Sequence, residues 1–319
     1  MHTFIQTILL AIVFVSSGLN PFQDIQPVGA TEDTLELPSS PDEEIMISEQ
    51  FAVQEGATLF IDIAHAEVTI LTSSRTSADV EVSLESNRMS RARERFERMN
   101  WQVHQEEGNI VVTAETLRGW NNVNMDIDVT VHIPARFNID VVTTHGDVDL
   151  ESIEGELSVV TTHGDVQMDD VMSSRIRVTS SHGDIEGREL SADTIELRTS
   201  HADIEVNRVD SGEFSAITSH ADVDIGLLRG ESRIRTSHGD VDVALADDMG
   251  LDVETEHGDV DVRLAKEARM DLDLRGGDVD VSSSVDVNGR ISEDTARGRI
   301  NGGGAALRAR TTYGEIHVR

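Results

Sequence analysis

The chain has 319 residues, a formal net charge of −34 at pH 7 and no cysteine. The lack of cysteine excludes disulfide bonds, thiolate zinc sites, cysteine nucleophiles and a lipid anchor on a cysteine. The acidic balance argues against nucleic acid as a partner, because such a surface repels phosphate groups.

An apolar run at residues 4–15 is followed by the small residues Ser16, Ser17 and Gly18. The run is too short to span a membrane and is typical of the apolar part of a secretory signal peptide. We therefore expect residues 1–30 to be a signal peptide that is cleaved after residue 18 or 30. The protein is then exported (periplasmic, cell-surface or extracellular), with no transmembrane segment in the mature chain.

Residues 31–49 hold seven acidic residues, two prolines and neither Lys nor Arg, which predicts a solvated acidic linker. Residues 50–140 are predicted to be a β-rich N-terminal segment of the repeat domain. Strands are predicted where apolar and polar residues alternate: 59–70, 80–84, 109–115 and 125–133. Residues 91–101 are predicted to be a helix with one apolar face. That face consists of Met89, Ala92, Phe96 and Met99.

A six-residue motif, Thr-(Thr/Ser)-His-(Gly/Ala)-Asp-(Val/Ile), recurs seven times from residue 143 with small variations. Its histidines are spaced by 18 or 19 residues: His145, His163, His182, His201, His220, His238 and His257. A fixed period of this length predicts a stack of equivalent structural rungs, a solenoid. Residues 64–68, Ala-His-Ala-Glu-Val, are an early variant of the motif.

Apolar residues alternate with polar ones before and after each histidine, so each copy is predicted to contain two short strands with one buried face. The two alternations are out of phase, which places His-Gly-Asp at a corner between the strands. We therefore predict an all-β fold, a parallel β-solenoid (β-helix) with rungs of 18–19 residues over residues 141–319. Altered copies at residues 297–300 and 313–316 are predicted to be C-terminal capping rungs.

Stacked rungs place equivalent residues about 4.8 Å apart, so the seven histidines should form a column of roughly 29 Å. A neighbouring column of carboxylates consists of Asp147, Asp165, Asp184, Asp203, Asp222, Asp240 and Asp259, and Asp278 is expected to continue it. A second acidic column is expected two residues further on: Asp149, Glu186, Glu205, Asp224, Asp242, Asp261 and Asp280. Like charges at this spacing repel by roughly 1 kcal/mol per pair even in water, so the columns need compensation.

Three interpretations of the columns stay open. In the first, each aspartate accepts hydrogen bonds from backbone N–H groups and the histidines stack as a structural ladder. In the second, the histidine and aspartate columns bind cations, Ca²⁺ at carboxylates or Zn²⁺ or Ni²⁺ at imidazoles. In the third, protonation of the histidines near pH of about 6 acts as a switch. Exposed arginines such as Arg177, Arg198 and Arg235 are a further source of compensating charge. No other cofactor is expected.

The sequence resembles the bacterial putative-adhesin family of β-strand-repeat domains of unknown function, over residues 51–319. The resemblance rests on the strand at residues 59–70, the strand at 129–134 and the repeated Thr-x-x-Gly-Asp-Val-x-Val. It implies a β-solenoid at the cell envelope with no established activity, and it transfers no catalytic residue. Family members usually carry Ser or Asn where this chain has histidine, so the histidines inherit no family role.

The even repetition argues against catalysis, because an active site normally interrupts a repeat at one place. Motifs such as Gly-x-Ser-x-Gly, HExxH and a phosphate-binding glycine loop are absent from the sequence. The sequence therefore predicts an exported, non-enzymatic scaffold that binds an unknown protein or polysaccharide at the cell envelope. The alternatives are a cation-binding His/Asp ladder protein and a carbohydrate-active β-helix enzyme.

Overall fold

The computed structural model describes residues 42–117, 125–246 and 248–319. The predicted signal peptide and residues 31–41 of the predicted linker lie outside the described residues. Strands make up most of the described chain, which also contains one helix. The predicted all-β class with a single helix is therefore confirmed for this part of the chain.

The described part of the N-terminal segment contains seven strands and the helix. They are β1 (Asp42–Ala52), β2 (Thr58–Ile63), β3 (Glu67–Ser73), β4 (Ser77–Ser86), α1 (Met89–Arg98), β5 (Gln102–Glu106), β6 (Asn109–Thr113) and β7 (Asp126–Pro134). The strand predicted at residues 59–70 is divided into β2 and β3 by a corner at residues 64–66. The apolar face of α1 is confirmed, since Ala92, Phe96 and Met99 are buried in the core.

The position of β1 corrects the predicted boundary of the acidic linker. Residues 42–49, expected to be solvated, pair antiparallel with β4. Ile47 and Phe51 pack against the core, whereas the side chain of Glu49 is exposed. Acidic side chains on the outward side of an edge strand do not prevent backbone pairing, and composition alone therefore misplaced the boundary.

The rungs between residues 138 and 263 stack in sequence order. Their strands are β8 (Asn138–Thr143), β9 (Val148–Glu151), β10 (Leu157–Val160), β11 (Val166–Asp169), β12 (Val171–Thr179), β13 (Ile185–Arg198), β14 (Ile204–Ile217), β15 (Val223–Arg235), β16 (Val241–Leu245), β17 (Leu251–Glu254) and β18 (Val260–Arg263). Strands pair in parallel with their equivalents one period away, so that Leu157 lies opposite both Ile139 and Ile176. Inward side chains such as Val159 are fully buried and form the core.

The stack continues toward the N-terminus before its pairing changes. β2 and β3 form the rung next to β8 and β9, and β6 and β7 lie on their other side, all in parallel. Beyond these strands the pairing is antiparallel, with β5 on β6, β4 on β7, and β1 on β4. The sheet is therefore mixed. The predicted parallel β-solenoid is confirmed for the rungs but not for the ends.

The C-terminal strands do not stack in sequence order. They are β19 (Met270–Arg275), β20 (Asp278–Val281), β21 (Val287–Ile291), β22 (Thr295–Ile300), β23 (Ala305–Arg310) and β24 (Glu315–Val318). β23 lies between β17 and β19, and β24 lies between β18 and β20, with parallel pairing on both sides. The last strand pair of the chain is thus inserted ahead of the pair that precedes it in sequence.

This order corrects two predictions. Residues 313–316 belong to an internal rung rather than a capping one, and Asp278 follows Glu315 instead of Asp259 in the stack. Residues 297–300 do lie near the end, where the β21–β22 hairpin pairs antiparallel with β19. The sequence does not reveal this order of strands. The pair β19 and β20 and the pair β23 and β24 have the same alternation of apolar and polar residues, so either pair could lie against β17 and β18.

Candidate functional site

Each rung turns at a five-residue corner between its first and second strand. In the rung of β8 and β9 the corner is residues 143–147, Thr-Thr-His-Gly-Asp. The first threonine and the glycine are buried, whereas the histidine and the aspartate are exposed. The chain turns here because the inward positions on either side, Thr143 and Val148, are five residues apart and cannot belong to one continuous strand. Equivalent corner residues therefore form columns along the stack.

The first residue of most corners hydrogen-bonds to the backbone of its own rung, of the previous rung or of both. The buried Thr143 hydroxyl is an exception, with no hydrogen-bond partner among the described residues. The threonine column consists of Thr143, Thr161, Ser180, Thr199, Thr218, Thr236, Thr255 and Thr311, all buried. The hydroxyl of Thr255 accepts the N–H of Gly258 at 3.2 Å and donates to the carbonyl oxygen of Gly239 in the previous corner at 3.3 Å. The sequence reasoning treated these residues as ordinary strand positions, although their near-identity in every copy was the available signal.

Glycine is required in the fourth position of most corners because the backbone of the neighbouring rung leaves no room for a Cβ. The glycine column consists of Gly146, Gly164, Gly183, Gly239, Gly258 and Gly314. A Cβ at Gly258 would lie 1.8 Å from the carbonyl oxygen of Gly239. The φ of these glycines lies outside the left-handed region, so backbone conformation is not the reason for glycine. Ala202 and Ala221 occupy the same position in two rungs, and both are buried.

The aspartate column caps the backbone of the next rung. Oδ1 of each aspartate from Asp147 to Asp240 accepts the N–H of the following aspartate of the column at 2.7 to 2.9 Å. The last bond runs from the N–H of Glu315 to Oδ1 of Asp259, at 2.7 Å. Hydrogen bonds to an ionised acceptor are stronger than neutral ones, which offsets part of the repulsion along the column. The first interpretation is therefore confirmed for the aspartates.

The histidines form one continuous column of stacked rings. From His145 to His257 neighbouring ring centroids are 4.6 to 5.0 Å apart and the planes differ by at most 8°. His65 extends the column at one end with a centroid distance of 4.6 Å, and Tyr313 extends it at the other with 4.8 Å. The predicted column is confirmed and is longer than expected. Sequence reasoning missed Tyr313, although Thr-Thr-Tyr-Gly-Glu matches the motif position by position.

The stacked imidazoles have a defined orientation. Nδ1 of His163, His182, His201 and His220 lies 3.3 to 3.4 Å from a carbonyl oxygen of the previous corner. Because a carbonyl oxygen can only accept, Nδ1 must carry a hydrogen in this arrangement. The neutral rings therefore keep Nε2 as the nitrogen with a free lone pair. These four histidines accordingly present a row of Nε2 atoms at about the rung spacing.

These columns do not converge on a single centre. Within residues 42–117, 125–246 and 248–319, no three His, Asp or Glu side chains are grouped so as to hold a metal ion. Rings 4.6 to 5.0 Å apart are too widely spaced for both nitrogens to reach one Zn²⁺ at about 2.0–2.1 Å unless the rings move. Cation binding by the fourteen predicted residues stays a prediction, and it would use an extended array.

A second acidic column lies on the second strand of each rung. Its members are Asp149, Glu186, Glu205, Asp224, Asp242 and Asp261, with Gln167 in the rung between the first two. Arg263 and Arg319 form ion pairs with its last two members at 2.5 and 3.0 Å. In the part of the chain that the structure describes, no Arg or Lys lies within 4.0 Å of the three central carboxylates, Glu186, Glu205 and Asp224. The centre of this column is therefore uncompensated.

Local burial shifts several of these groups. Burial raises the pKa of Asp149, and the neighbouring carboxylate of Asp147 raises it further. Burial is also the main cause of the raised pKa of Asp242. At the N-terminal end of the histidine column, burial lowers the pKa of His65 and the adjacent His145 adds to this effect. These carboxylates are thus easier to protonate than usual, and the His65 ring is harder to protonate than usual.

The arginines offered as compensating charges lie on the other strand of the rung. Arg177 and Arg198 both pair with Glu196, at 3.1 and 2.5 Å. Arg235 pairs with Asp252 at 2.7 Å. The face formed by the first strands therefore balances its own charges, and these three arginines form no ion pairs with the acidic columns.

Two elongated troughs follow the stack. One, of about 460 Å³, crosses the second-strand face from Asp149 to Glu205. The other, of about 700 Å³, crosses the first-strand face from Thr194 to Arg308. Both extend over several rungs, whereas a site for a small molecule is usually a single enclosed cleft.

A family model described as Toastrack DUF4097 matches residues 17–173 and 57–319. The chain belongs to the Toastrack DUF4097 family. This assignment confirms the resemblance to a bacterial putative-adhesin family of unknown function. The stacked corners described above are therefore features of a Toastrack chain, and the family supplies no established activity for them.

The solved structures that match this Toastrack chain share little sequence with it. A putative adhesin from Parabacteroides merdae ATCC 43184 is 10% identical, with a TM-score of 0.49 over 86% of this chain and 95% of that one. A putative adhesin from Bacteroides fragilis NCTC 9343 is 13% identical, with a TM-score of 0.41 over 88% and 99%. A putative lipid binding protein from Parabacteroides distasonis ATCC 8503 is 9% identical, with a TM-score of 0.40 over 88% and 98%. These likenesses are too distant to carry a function.

Among curated proteins, none is significantly similar to this Toastrack chain. In the described residues, no helix is long and apolar enough to cross a membrane.

Proposed function

We propose that this protein is an exported, non-enzymatic scaffold that binds an extended partner along its stacked rungs at the cell envelope. The observation that carries the proposal is the uniformity of the corners. From His145 to His257 every corner has a histidine and an aspartate at the same two positions, and each aspartate accepts the same backbone hydrogen bond. A catalytic centre would need one rung that differs from its neighbours in its acid, base or nucleophile.

Export is supported by the sequence of residues 1–30, which has the pattern of a signal peptide. A partner at the envelope, protein or polysaccharide, is the simplest occupant for a surface of this kind outside the cytoplasm.

The charge of the second-strand face indicates the chemistry of the partner. The aspartate column and the second acidic column run side by side, and Glu186, Glu205 and Asp224 have no ion-pair partner among the described residues. Rows of uncompensated carboxylates attract cationic groups and raise the rate of encounter with them. We therefore assign the partner repeated positive charges.

Binding of a cationic glycan tests the proposal. We expect an oligomer of glucosamine to bind in calorimetric titration, more weakly at high salt, and its neutral N-acetylated counterpart not to bind. The triple variant Glu186→Gln, Glu205→Gln, Asp224→Asn should lose most of this binding. A control variant with the same charge change, Glu189→Gln, Glu213→Gln, Glu231→Gln, should keep it. Equal losses in both variants, or no binding of the cationic oligomer, would contradict the proposal.

The same uncompensated carboxylates favour a second candidate, binding of metal cations in an array. Oxygen ligands suit Ca²⁺, and the row of Nε2 atoms suits Zn²⁺ or Ni²⁺. Thermal unfolding of chelator-stripped protein, titrated separately with Ca²⁺ and Zn²⁺ at constant ionic strength, distinguishes this candidate. A saturable rise of several degrees with one ion supports it, because a ligand that binds the native state raises stability by mass action. Identical curves with and without the ions would exclude it.

A further inference from the structure

The last strand pair of the chain fills a slot between two rungs that precede it in sequence. β23 separates β17 from β19, and β24 separates β18 from β20. The chain therefore passes from β18 to β19 across the width of two rungs, through residues 264–269, and returns later to fill the space.

The inserted pair matches both neighbours in detail. On one side, the N–H of Thr255 donates to the carbonyl oxygen of Arg310 at 2.9 Å. On the other, the N–H of Thr311 donates to the carbonyl oxygen of Arg275 at 3.0 Å. The corner of the inserted rung repeats the common pattern, with the Gly314 N–H bonded to the Thr311 hydroxyl at 3.1 Å. Nothing in these contacts depends on the connection to β22.

The connection to the inserted pair has the properties of a hinge. It is Asn301-Gly302-Gly303-Gly304, and its first three residues have φ of 48°, 91° and 87°. A non-glycine residue with positive φ is disfavoured, and glycine readily adopts many other conformations. This short segment can therefore open without losing contacts of the inserted rung itself.

Until residues 305–319 arrive, the slot has two bare edges. The edges of β17 and β18 on one side and of β19 and β20 on the other carry unpaired N–H and C=O groups. Exposed strand edges are templates for pairing with any chain of matching alternation. The segment with the matching alternation, corner and charges is residues 305–319, whether it comes from the same molecule or from another copy.

We propose that the C-terminal rung, residues 305–319, is exchanged between two copies of this chain, so that each copy fills the slot of the other. This inference goes beyond the proposed binding function and is independent of it. The exchange conserves every contact of the rung, including the ion pair of Arg319 with Asp261 at 3.0 Å. Reciprocal exchange creates a dimer with two-fold symmetry that joins the C-terminal ends of two stacks.

The absence of cysteine permits a direct test with two single-cysteine chains. Glu254 and Arg310 are exposed register partners on β17 and β23. One full-length chain carries Glu254→Cys, a second carries Arg310→Cys with a distinguishing tag, and both are produced in the same cells. Neighbouring parallel strands bring Cα atoms within the range of about 4.4–6.8 Å that a disulfide requires. After mild oxidation, exchange predicts a covalent heterodimer on a non-reducing gel.

A matched pair of chains provides the control for random collision. Arg198 and Ile217 are register partners in the same column of two central rungs, β13 and β14. Chains with Arg198→Cys and Ile217→Cys should give a heterodimer yield several-fold lower. Thermal unfolding of each single variant establishes that it is folded. A yield with Glu254→Cys and Arg310→Cys no greater than the control yield would overturn the proposal.

Discussion

The central rungs and the inserted C-terminal rung of this protein pair in parallel in the same way, but they differ in the order of their strands. Between residues 138 and 263 each rung stacks on the one before it in sequence. At the C-terminal end the rung at residues 305–318 is inserted ahead of the rung at 270–281. Equivalent alternation therefore determines that rungs will stack, but it does not determine their order.

The difference lies in the connections rather than in the rungs. In the centre, the second strand of one rung leads directly into the first strand of the next; β13, for example, continues from Ile185 to Arg198 without interruption. After β18, residues 264–269 cross a wider gap, and the hairpin of β21 and β22 interrupts the period. These connections let the chain return to an earlier position, as it also does near the N-terminus, where β2 and β3 lie between β6 and β7 on one side and β8 and β9 on the other.

Removal of the inserted rung should have the largest effect. A chain that ends at Gly304 exposes the core on both sides of the slot and loses the buried side chains of Leu307, Ile316 and Val318. We expect a loss of about 5 kcal/mol, since each such side chain contributes roughly 1.5–3 kcal/mol. Thermal unfolding followed by circular dichroism should show a much lower and broader transition.

Deletion of a central rung is the matched comparison. Removing residues 201–219 joins Ser200 to His220 and leaves the motif intact. Because each rung contacts only its neighbours, this shorter chain should remain folded and melt only a few degrees lower. A deletion of the central rung that costs as much as the C-terminal truncation would show that the two regions do not differ as described.

A methyl group in the glycine column should have the next largest effect. The Cβ of a Gly258→Ala chain would lie 1.8 Å from the carbonyl oxygen of Gly239, so the rungs must separate locally. We expect a cost of about 1–3 kcal/mol, as for overpacking elsewhere. The reverse change Ala221→Gly should cost no more than about 0.5–1 kcal/mol, the usual price of glycine in the unfolded state. Chemical denaturation of both variants measures these values.

Loss of one backbone cap in the aspartate column should have a smaller effect. Asp203→Ala removes the acceptor for the N–H of Asp222, now at 2.8 Å. We expect a loss of about 1 kcal/mol. Asp203→Asn keeps Oδ1 and removes one charge from the column, so it should be close to neutral. If Asn destabilised the protein as much as Ala, the charge rather than the hydrogen bond would hold the corner.

The smallest predicted effect concerns protonation on the second-strand face. The folded-state pKa of Asp149 is raised above its ordinary 3.8 by burial and by Asp147, so its ionisation at pH 7 disfavours the folded state. Asp149→Asn should therefore melt at a higher temperature than the wild type at pH 7. This gain should shrink as the pH falls through the raised pKa and should vanish below 3.8, where Asp149 is protonated in both the folded and the unfolded state. A gain that stays constant from pH 7 to pH 4 would contradict the assignment.

The sequence predicted most of the central region because its features repeat. The period located every corner from His145 to His257, and the alternation identified the buried strands. The sequence did not predict β1, because an acidic edge strand has the same composition as a solvated linker. It missed Tyr313 as a neighbour of His257, because no local pattern records that two rungs have changed places. The roles of the corner threonines and aspartates required the backbone geometry, since a carboxylate column alone fits several chemistries.

One measurement tests the strand order most directly. Two double variants of the full chain are compared for disulfide formation: Glu254→Cys with Arg310→Cys, and Glu254→Cys with Arg275→Cys. Arg310 on β23 has two register partners, Glu254 on β17 and Arg275 on β19. Glu254 and Arg275 are therefore separated by the inserted strand and are too far apart for a disulfide. The inserted rung predicts a disulfide, within or between chains, only in the first variant. A disulfide in the second variant instead would show that the rungs stack in sequence order.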